Sequence, residues 1–174
     1  MTASVILAEL DAVLRRVPTL PERLADLLMA PRVLLHGQGR AGLALQALAM
    51  RLGQMGRDAH WLHDIAPPPL RPGDLFLANA STGDLPTSVA LLHRARQLGA
   101  RTAVLTGVQQ GPALDEADTV LHLPAQIRTG CSKLPLGGQY EAALWIIGDL
   151  AISILLQRLS PQPETLANGH VNLG

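Results

Sequence analysis

The chain has 174 residues, of which 48% are hydrophobic and 16% are charged. This length fits one domain with a sizeable core, and the hydrophobic content excludes an intrinsically disordered chain. Lysine plus arginine number 14, as do aspartate plus glutamate. A neutral balance argues against the concentrated basic surface that nucleic-acid binding requires, so we predict no nucleic-acid partner.

The cysteine content and the apolar stretches indicate where in the cell the protein is located. Cys131 is the only cysteine, which excludes an intrachain disulfide and a cysteine-based metal site. The N-terminal stretch carries Glu9 and Asp11 and has no basic start, so we expect no signal peptide. The longest apolar stretch, 142–156, contains Asp149 and is shorter than the roughly 20 residues that cross a bilayer. We predict a cytoplasmic location and no membrane partner.

The chain is predicted to begin with two helices, which Pro18 and Pro21 separate. Strands then alternate with helices along the rest of the chain. Short apolar runs bounded by glycine or proline predict the strands, and longer amphipathic runs predict the helices. In chain order the predicted elements are helices 3–16 and 20–29, strand 32–37, helix 41–55, strands 58–63 and 74–79, a helix within 81–100, strand 101–107, a short helix near 111–117, strand 119–124 and helix 138–158.

Strand–helix alternation predicts parallel pairing, because parallel strands need crossover connections. Right-handed crossovers then give a three-layer α/β/α sandwich with a five-stranded parallel sheet. We expect one domain over 1–174, with N-terminal helices in 1–30, an α/β core in 31–158 and a C-terminal tail in 159–174. Ligands in such folds bind beyond the carboxyl ends of the strands, so the loops that follow the strands are the candidate binding segments.

The loop after the first strand reads GQGRAG, with Gly37, Gly39 and Gly42. Glycines let the backbone approach a ligand closely, and a helix N-terminus offers free N–H groups to an anion. The same spacing is typical of a dinucleotide-binding turn, in which Asp64, 22 residues after Gly42, would hold a ribose hydroxyl. A tight strand-to-helix turn with no ligand also accounts for these glycines. The loop by itself leaves all of these interpretations open.

Small polar residues follow the third strand: Asn79, Ser81, Thr82 and Gly83. Hydroxyls and the free N–H groups of the next helix form a cradle for an anion. Alternatively, Ser81, Thr82 and Asp84 only turn the chain and cap that helix. A second polar loop at the same sheet edge favours a compact phosphomonoester over a dinucleotide.

Gly137 and Gly138 precede the long last helix, and Glu141 lies in its first turn among apolar residues. A partly desolvated carboxylate at the mouth of a site can move a proton between adjacent carbons of a sugar. Alternatively, Glu141 is a carboxylate that the helix dipole favours. Asp149, two turns later, is interpreted as a partner for another helix.

Several segments together resemble the SIS (sugar isomerase) domain family, and in particular the 6-phospho-3-hexuloisomerases. The resemblance covers nearly the whole chain. It is carried by GQGRAGLALQALAMRLGQMG, PPLRPGDLFLANASTGD, ARTAVLTG, EADTVLHLPAQ, LPLGGQYEAALWIIGDLAI and the tail ETLANGHVNLG.

The resemblance implies a five-stranded SIS sandwich with a flavodoxin-like strand order, assembled as a homodimer or homotetramer. It implies isomerisation of a phosphorylated ketose, hexulose 6-phosphate to fructose 6-phosphate, through an enediol and without a metal or cofactor. Glu141 would be the base, and His170 in the tail would be a ring-opening acid or a substrate ligand, if it is not simply a solvated tail residue. The predicted substrate-binding residues are Gly37, Gly39, Arg40, Asn79, Ser81, Thr82, Gly83, Thr106 and Gln139.

Several positions depart from the family pattern. Ala41 stands where the family has a serine, Gln54 replaces a helix histidine, and the loop after the third strand lacks the family's glutamate and threonine. Gly138 or Gln139, depending on the alignment, stands where the family has a serine before the late aromatic residue. Losing one hydrogen bond to a charged group costs roughly 1.5–3 kcal/mol. A non-catalytic phosphosugar-binding protein therefore stays open as an alternative, and a nucleotide-binding protein is a third.

Overall fold

Strands and helices alternate along most of the chain. The structure is a computed structural model and describes residues 2–128, 130, 132–161 and 169. Its elements in chain order are α1 (Ala3–Leu14), α2 (Leu20–Leu28), β1 (Arg32–His36), α3 (Gly39–Gln54), β2 (Asp58–Trp61), β3 (Leu75–Asn79), α4 (Pro86–Gln97), β4 (Arg101–Thr106), α5 (Pro112–Asp115), β5 (Thr119–His122) and α6 (Gly138–Leu159).

The five strands form one parallel sheet in the order β2-β1-β3-β4-β5. Every residue of the central strand β3 is buried, as expected for a strand covered on both faces. The fold class and the flavodoxin-like strand order are therefore confirmed. The observed strands are up to two residues shorter than predicted, because terminal residues such as Leu62 and Leu123 already belong to loops, although their N–H groups still bond Leu35 and Thr106 of neighbouring strands.

Helices cover both faces of the sheet. Side chains alternate along a strand, so Leu35, Leu77 and Leu105 pack with α1, α2, α3 and α6 in the larger core. Leu34 and Phe76 belong to the smaller core beneath α4 and α5. The predicted three layers are present, and α3 packs against α6 on the larger face. These two helices begin at the carboxyl edge of the sheet, where the candidate binding loops lie.

Helix α6 is long and apolar. Within the described part of the chain it is the one helix that could cross a membrane by length and composition, with a mean hydropathy of 1.6 over its best window. Core helices pass the same test, and 39% of that window is buried against the rest of the chain. The helix is therefore weak evidence about a membrane, and the cytoplasmic location stays a prediction.

Candidate functional site

The β1–α3 turn brings two glycines into direct contact. A Cβ atom on Gly42 would lie 2.8 Å from the carbonyl oxygen of Gly37, and one on Gly37 would lie 2.9 Å from the Cα atom of Gly42. Gly39 has a φ of +59°, which glycine adopts without strain, and no atom lies near its missing side chain. Close packing of strand and helix therefore accounts for Gly37 and Gly42 without any ligand.

A small polar cavity of about 120 Å³ lies beside this turn. It lies at the carboxyl edge of the sheet, beyond neighbouring strands β1 and β3, where the strand order reverses. Of the predicted site residues it brings together Gly39, Arg40, Ser81 and Glu141. The remaining lining residues are Gln38, Ala41, Ile127, Gly137 and Tyr140.

An ion pair crosses the mouth of the cavity. Arg40, on the first turn of α3, donates its Nε–H to Oε2 of Glu141, on the first turn of α6. The Arg40 side chain is 76% exposed, whereas that of Glu141 is 21% exposed. A pair this exposed contributes only about 0–1 kcal/mol to stability, so the fold does not depend on it. It does place the predicted phosphate-binding cation and the predicted base in one small space.

The loop after β3 presents one of its predicted residues to the cavity. Ser81 lines it, whereas the hydroxyl of Thr82 is donated to Oδ1 of Asp84. A Cβ on Gly83 would lie 2.7 Å from the side chain of Val108, so this glycine packs against the loop after β4. Asp84 does not cap α4, since the N-cap position is Leu85 and carries no side-chain bond.

Three predicted site residues are buried and bonded inside the fold. The amide of Asn79 donates to the Tyr140 hydroxyl at 2.7 Å, and Thr106 Oγ1 lies 3.4 Å from the carbonyl oxygen of Ser81. Gln139 Oε1 accepts from the backbone N–H of Gln126 at 2.8 Å. None of the three lines the cavity. Each one holds a loop or helix end that does.

Tyr140 is a site residue that sequence reasoning did not select. It is the only tyrosine of the chain, lines the cavity and is fully buried, and this burial raises the pKa of its hydroxyl. A Cβ on Gly107 would lie 3.3 Å from its ring, so Gly107 leaves room for it. An aromatic residue beside the predicted base, in a chain with 2% aromatic residues, was the signal available.

Other predicted positions lie elsewhere or outside the description. Asp64, the ribose ligand of the dinucleotide alternative, is exposed and lines a groove on the outer side of α3. His170 and Cys131 lie outside the described residues. Among the residues that the structure describes, no cluster of three or more histidine, cysteine, aspartate or glutamate side chains could hold a metal ion.

A pair of histidines, one buried and one exposed, lies on the other face of β1. His36, at the strand end, is fully buried, and its Nδ1 lies 2.8 Å from Nε2 of His63. Its own Nε2 has no hydrogen-bond partner in the described part of the chain. Burial, assisted by the charge of His63, lowers the pKa of His36 from 6.5 to about 4. His36 is therefore neutral at pH 7.

We expect the free energy of unfolding to fall as the pH is lowered from 6.5 to about 4. The unfolded chain binds a proton at His36 in this range, whereas the folded chain excludes it. Urea unfolding at pH 7 and pH 4.5 measures the loss, which should be smaller in His36→Leu. His93→Gln, which alters an exposed histidine, should retain the full loss. An equal loss in His36→Leu would contradict this assignment.

Similarity to known proteins agrees with the family that the sequence motifs resemble. No protein-family model matches the chain. The 3-hexulose-6-phosphate isomerase of Bacillus subtilis strain 168 is 30% identical over 158 residues, covering 87% of this chain and 85% of that protein.

Two solved structures share the fold. One is a Methanococcus jannaschii protein for which a function of 3-hexulose-6-phosphate isomerase was inferred from its crystal structure. The two chains superpose with a TM-score of 0.84 at 21% identity, over 98% of each chain. The Vibrio vulnificus NanR protein complexed with ManNAc-6P has a TM-score of 0.73 at 17% identity, covering 95% of this chain and 66% of that one. The family resemblance read from the motifs is thus confirmed, and the chain belongs to the 3-hexulose-6-phosphate isomerase family, with the SIS fold.

Proposed function

We propose that this protein isomerises a phosphorylated ketose, converting hexulose 6-phosphate to fructose 6-phosphate. One observation supports this most directly: the cavity at the carboxyl edge of the sheet places the Arg40 guanidinium and the Glu141 carboxylate side by side. Phosphate recognition and proton transfer need these two groups within the length of one sugar phosphate. The family relative named for this reaction supports the choice of substrate.

The proposed reaction moves one proton between neighbouring carbons. Arg40, Ser81 and the free N–H groups at the start of α3 hold the phosphate. Glu141 removes the proton from C2 while the C3 carbonyl oxygen gains a proton, which yields a 2,3-enediol. Glu141 then returns its proton to C3 as the C2 hydroxyl loses one, which completes fructose 6-phosphate. A partly buried carboxylate suits this two-way transfer.

Ligand-dependent melting tests the proposed substrate class. Because a ligand that binds only the folded chain stabilises it by mass action, hexulose 6-phosphate and fructose 6-phosphate should raise Tm as their concentration rises. The unphosphorylated ketoses are the matched controls and should not. An isomerase assay with the best binder should then detect interconversion. Equal shifts from phosphorylated and unphosphorylated sugars would contradict the proposal.

A phosphosugar-binding protein without turnover is the second candidate. Ala41 lines the cavity where the family motif has a serine, so one hydroxyl for the phosphate is missing. The fold neighbour from Vibrio vulnificus is complexed with a phosphorylated sugar. Concentration-dependent melting shifts together with undetectable isomerisation would favour this candidate.

We also propose that the chain assembles as a homodimer or homotetramer through α3 and α6. Large apolar side chains are exposed on these helices, including Leu43 at 58%, Met50 at 51% and Trp145 at 49%. Exposed apolar surface of this kind is typical of an interface with another subunit.

Replacing Trp145 with glutamate should reduce the mass in solution to that of a monomer, because a charge would be buried unpaired at the contact. Light scattering measures the mass. Leu7→Glu, which changes an exposed leucine on α1, is the control and should retain the assembly. A wild-type chain that is already monomeric would contradict the proposal.

A further inference from the structure

The Arg40–Glu141 ion pair lies between two cavities. On one side is the polar cavity of about 120 Å³ that contains Ser81 and the β1–α3 turn. On the other side is a wider groove of about 500 Å³ between α3 and α6, lined by Leu43, Trp145 and other apolar residues. Arg40 and Glu141 line both spaces. The pair therefore forms the wall that separates them.

The polar cavity is too small for the proposed substrate. Sites for small molecules have volumes of roughly 300–1,000 Å³, and this one has about 120 Å³. Removing the wall would join it to the end of the groove next to Arg40 and provide room for a six-carbon sugar phosphate, which would lie beside the proposed subunit contact at Trp145. Arg40 is the side that can move, because its flexible side chain is 76% exposed, whereas Glu141 is 21% exposed.

The positive charge of Arg40 indicates that an anionic group would displace its side chain from Glu141. Among the described residues, Arg40 is the one cationic residue that lines either cavity, so an entering anion and Glu141 compete for the same guanidinium. Phosphate oxygens accept two parallel N–H bonds from arginine and carry up to two negative charges, so a phosphoryl group competes well with a single carboxylate. While it is paired, Glu141 Oε2 accepts the Arg40 N–H, and the positive charge beside the carboxylate makes it a weaker base toward a proton on carbon.

We propose that the Arg40–Glu141 ion pair is a gate that the substrate's phosphoryl group opens. The phosphoryl group takes the guanidinium from Glu141, which frees the carboxylate for proton transfer and merges the two cavities around the sugar. The pair then determines specificity, because a sugar without a phosphate leaves Glu141 paired with Arg40 and a weaker base. This inference rests on the proposed isomerase function, but its central element, competition at Arg40, can be measured without turnover.

The test uses inorganic phosphate as the probe and calorimetric titration as the measurement. If Glu141 competes with phosphate, Glu141→Gln should bind phosphate about two- to fivefold more tightly than the wild type, as the strength of an exposed ion pair predicts. Asp149→Asn removes one negative charge farther along the same helix and should leave the affinity unchanged. Equal or weaker binding by Glu141→Gln would overturn the gate, and so would a wild type and a Glu141→Gln that both fail to bind phosphate.

A double-mutant cycle separates competition from a direct bond between the new amide and phosphate. Arg40→Gln should weaken phosphate binding, and adding Glu141→Gln to it should restore nothing. A gain that persists without Arg40 would overturn the proposal.

The gate and the proposed function fail in different ways. If the wild type isomerises phosphoketoses while Glu141→Gln binds phosphate no more tightly, only the gate is wrong. If the phosphate affinities follow the expected pattern but no phosphoketose is isomerised, the proposed activity is wrong and the competition at Arg40 stands.

Discussion

Replacing Glu141 with glutamine should lower isomerase turnover by about 10²–10⁴-fold, the usual contribution of a general base. Glutamine has nearly the same shape but cannot accept the proton from carbon. Since the Glu141 side chain lies at the edge of the cavity and bonds no described side chain other than that of Arg40, the fold should be unaffected. Steady-state kinetics with hexulose 6-phosphate measures turnover, and the melting temperature checks folding.

Binding separates this prediction from simple damage to the site. Glu141→Gln should bind the substrate at least as well as the wild type, so the loss should lie in kcat and not in KM. Asp149→Asn is the matched control, because it removes a carboxylate from the same helix outside the polar cavity, and its kcat should stay at the wild-type value. Unchanged kcat in Glu141→Gln would refute the assignment of the base.

Gly42→Ala should destabilise the protein by about 1–3 kcal/mol, because the added Cβ would lie 2.8 Å from the carbonyl oxygen of Gly37. The neighbour is backbone, so the end of β1 and the start of α3 must separate. The same movement displaces Arg40, and we expect isomerase activity to fall as well. Urea unfolding measures the free energy, and the activity assay measures the second effect.

Gly148→Ala is the matched control with the opposite expected sign. Gly148 is also a buried helical glycine, on α6, but its added Cβ would have nothing closer than 3.9 Å. Alanine is favoured over glycine within a helix by about 0.5–1 kcal/mol, so this variant should be more stable. If both variants changed stability alike, the Gly37–Gly42 contact would not be the cause.

Local patterns were sufficient to predict the architecture. A strand covered on both faces needs an apolar run, and β3 has one in Leu75–Ala78, with Asn79 at its end and all five residues buried. Pro86 opens α4 at its first position, where its missing N–H costs nothing. Such signals depend only on neighbours in the sequence, so the elements, their alternation and the parallel sheet followed from them, with ends displaced by one or two residues.

The polar residues of the site were predicted less completely. The sequence identified the loops that meet at the sheet edge, and Arg40, Ser81 and Glu141 do line one cavity. The sequence could not show that the Asn79 amide donates a hydrogen bond to Tyr140, 61 residues away, or that the Thr82 hydroxyl donates one to Asp84. Whether a hydroxyl or amide at a strand end bonds a ligand or another part of the chain depends on which side chains pack against it.

The sequence by itself determined the fold class, the family and the loops in which chemistry can occur. Only the tertiary structure decided that Arg40 and Glu141, 101 residues apart, form an ion pair between two cavities, and that Gly37 and Gly42 pack directly against each other. The physical reason is that periodicity and turn chemistry are local, whereas a pairing between helix ends depends on how α3 and α6 pack on the sheet.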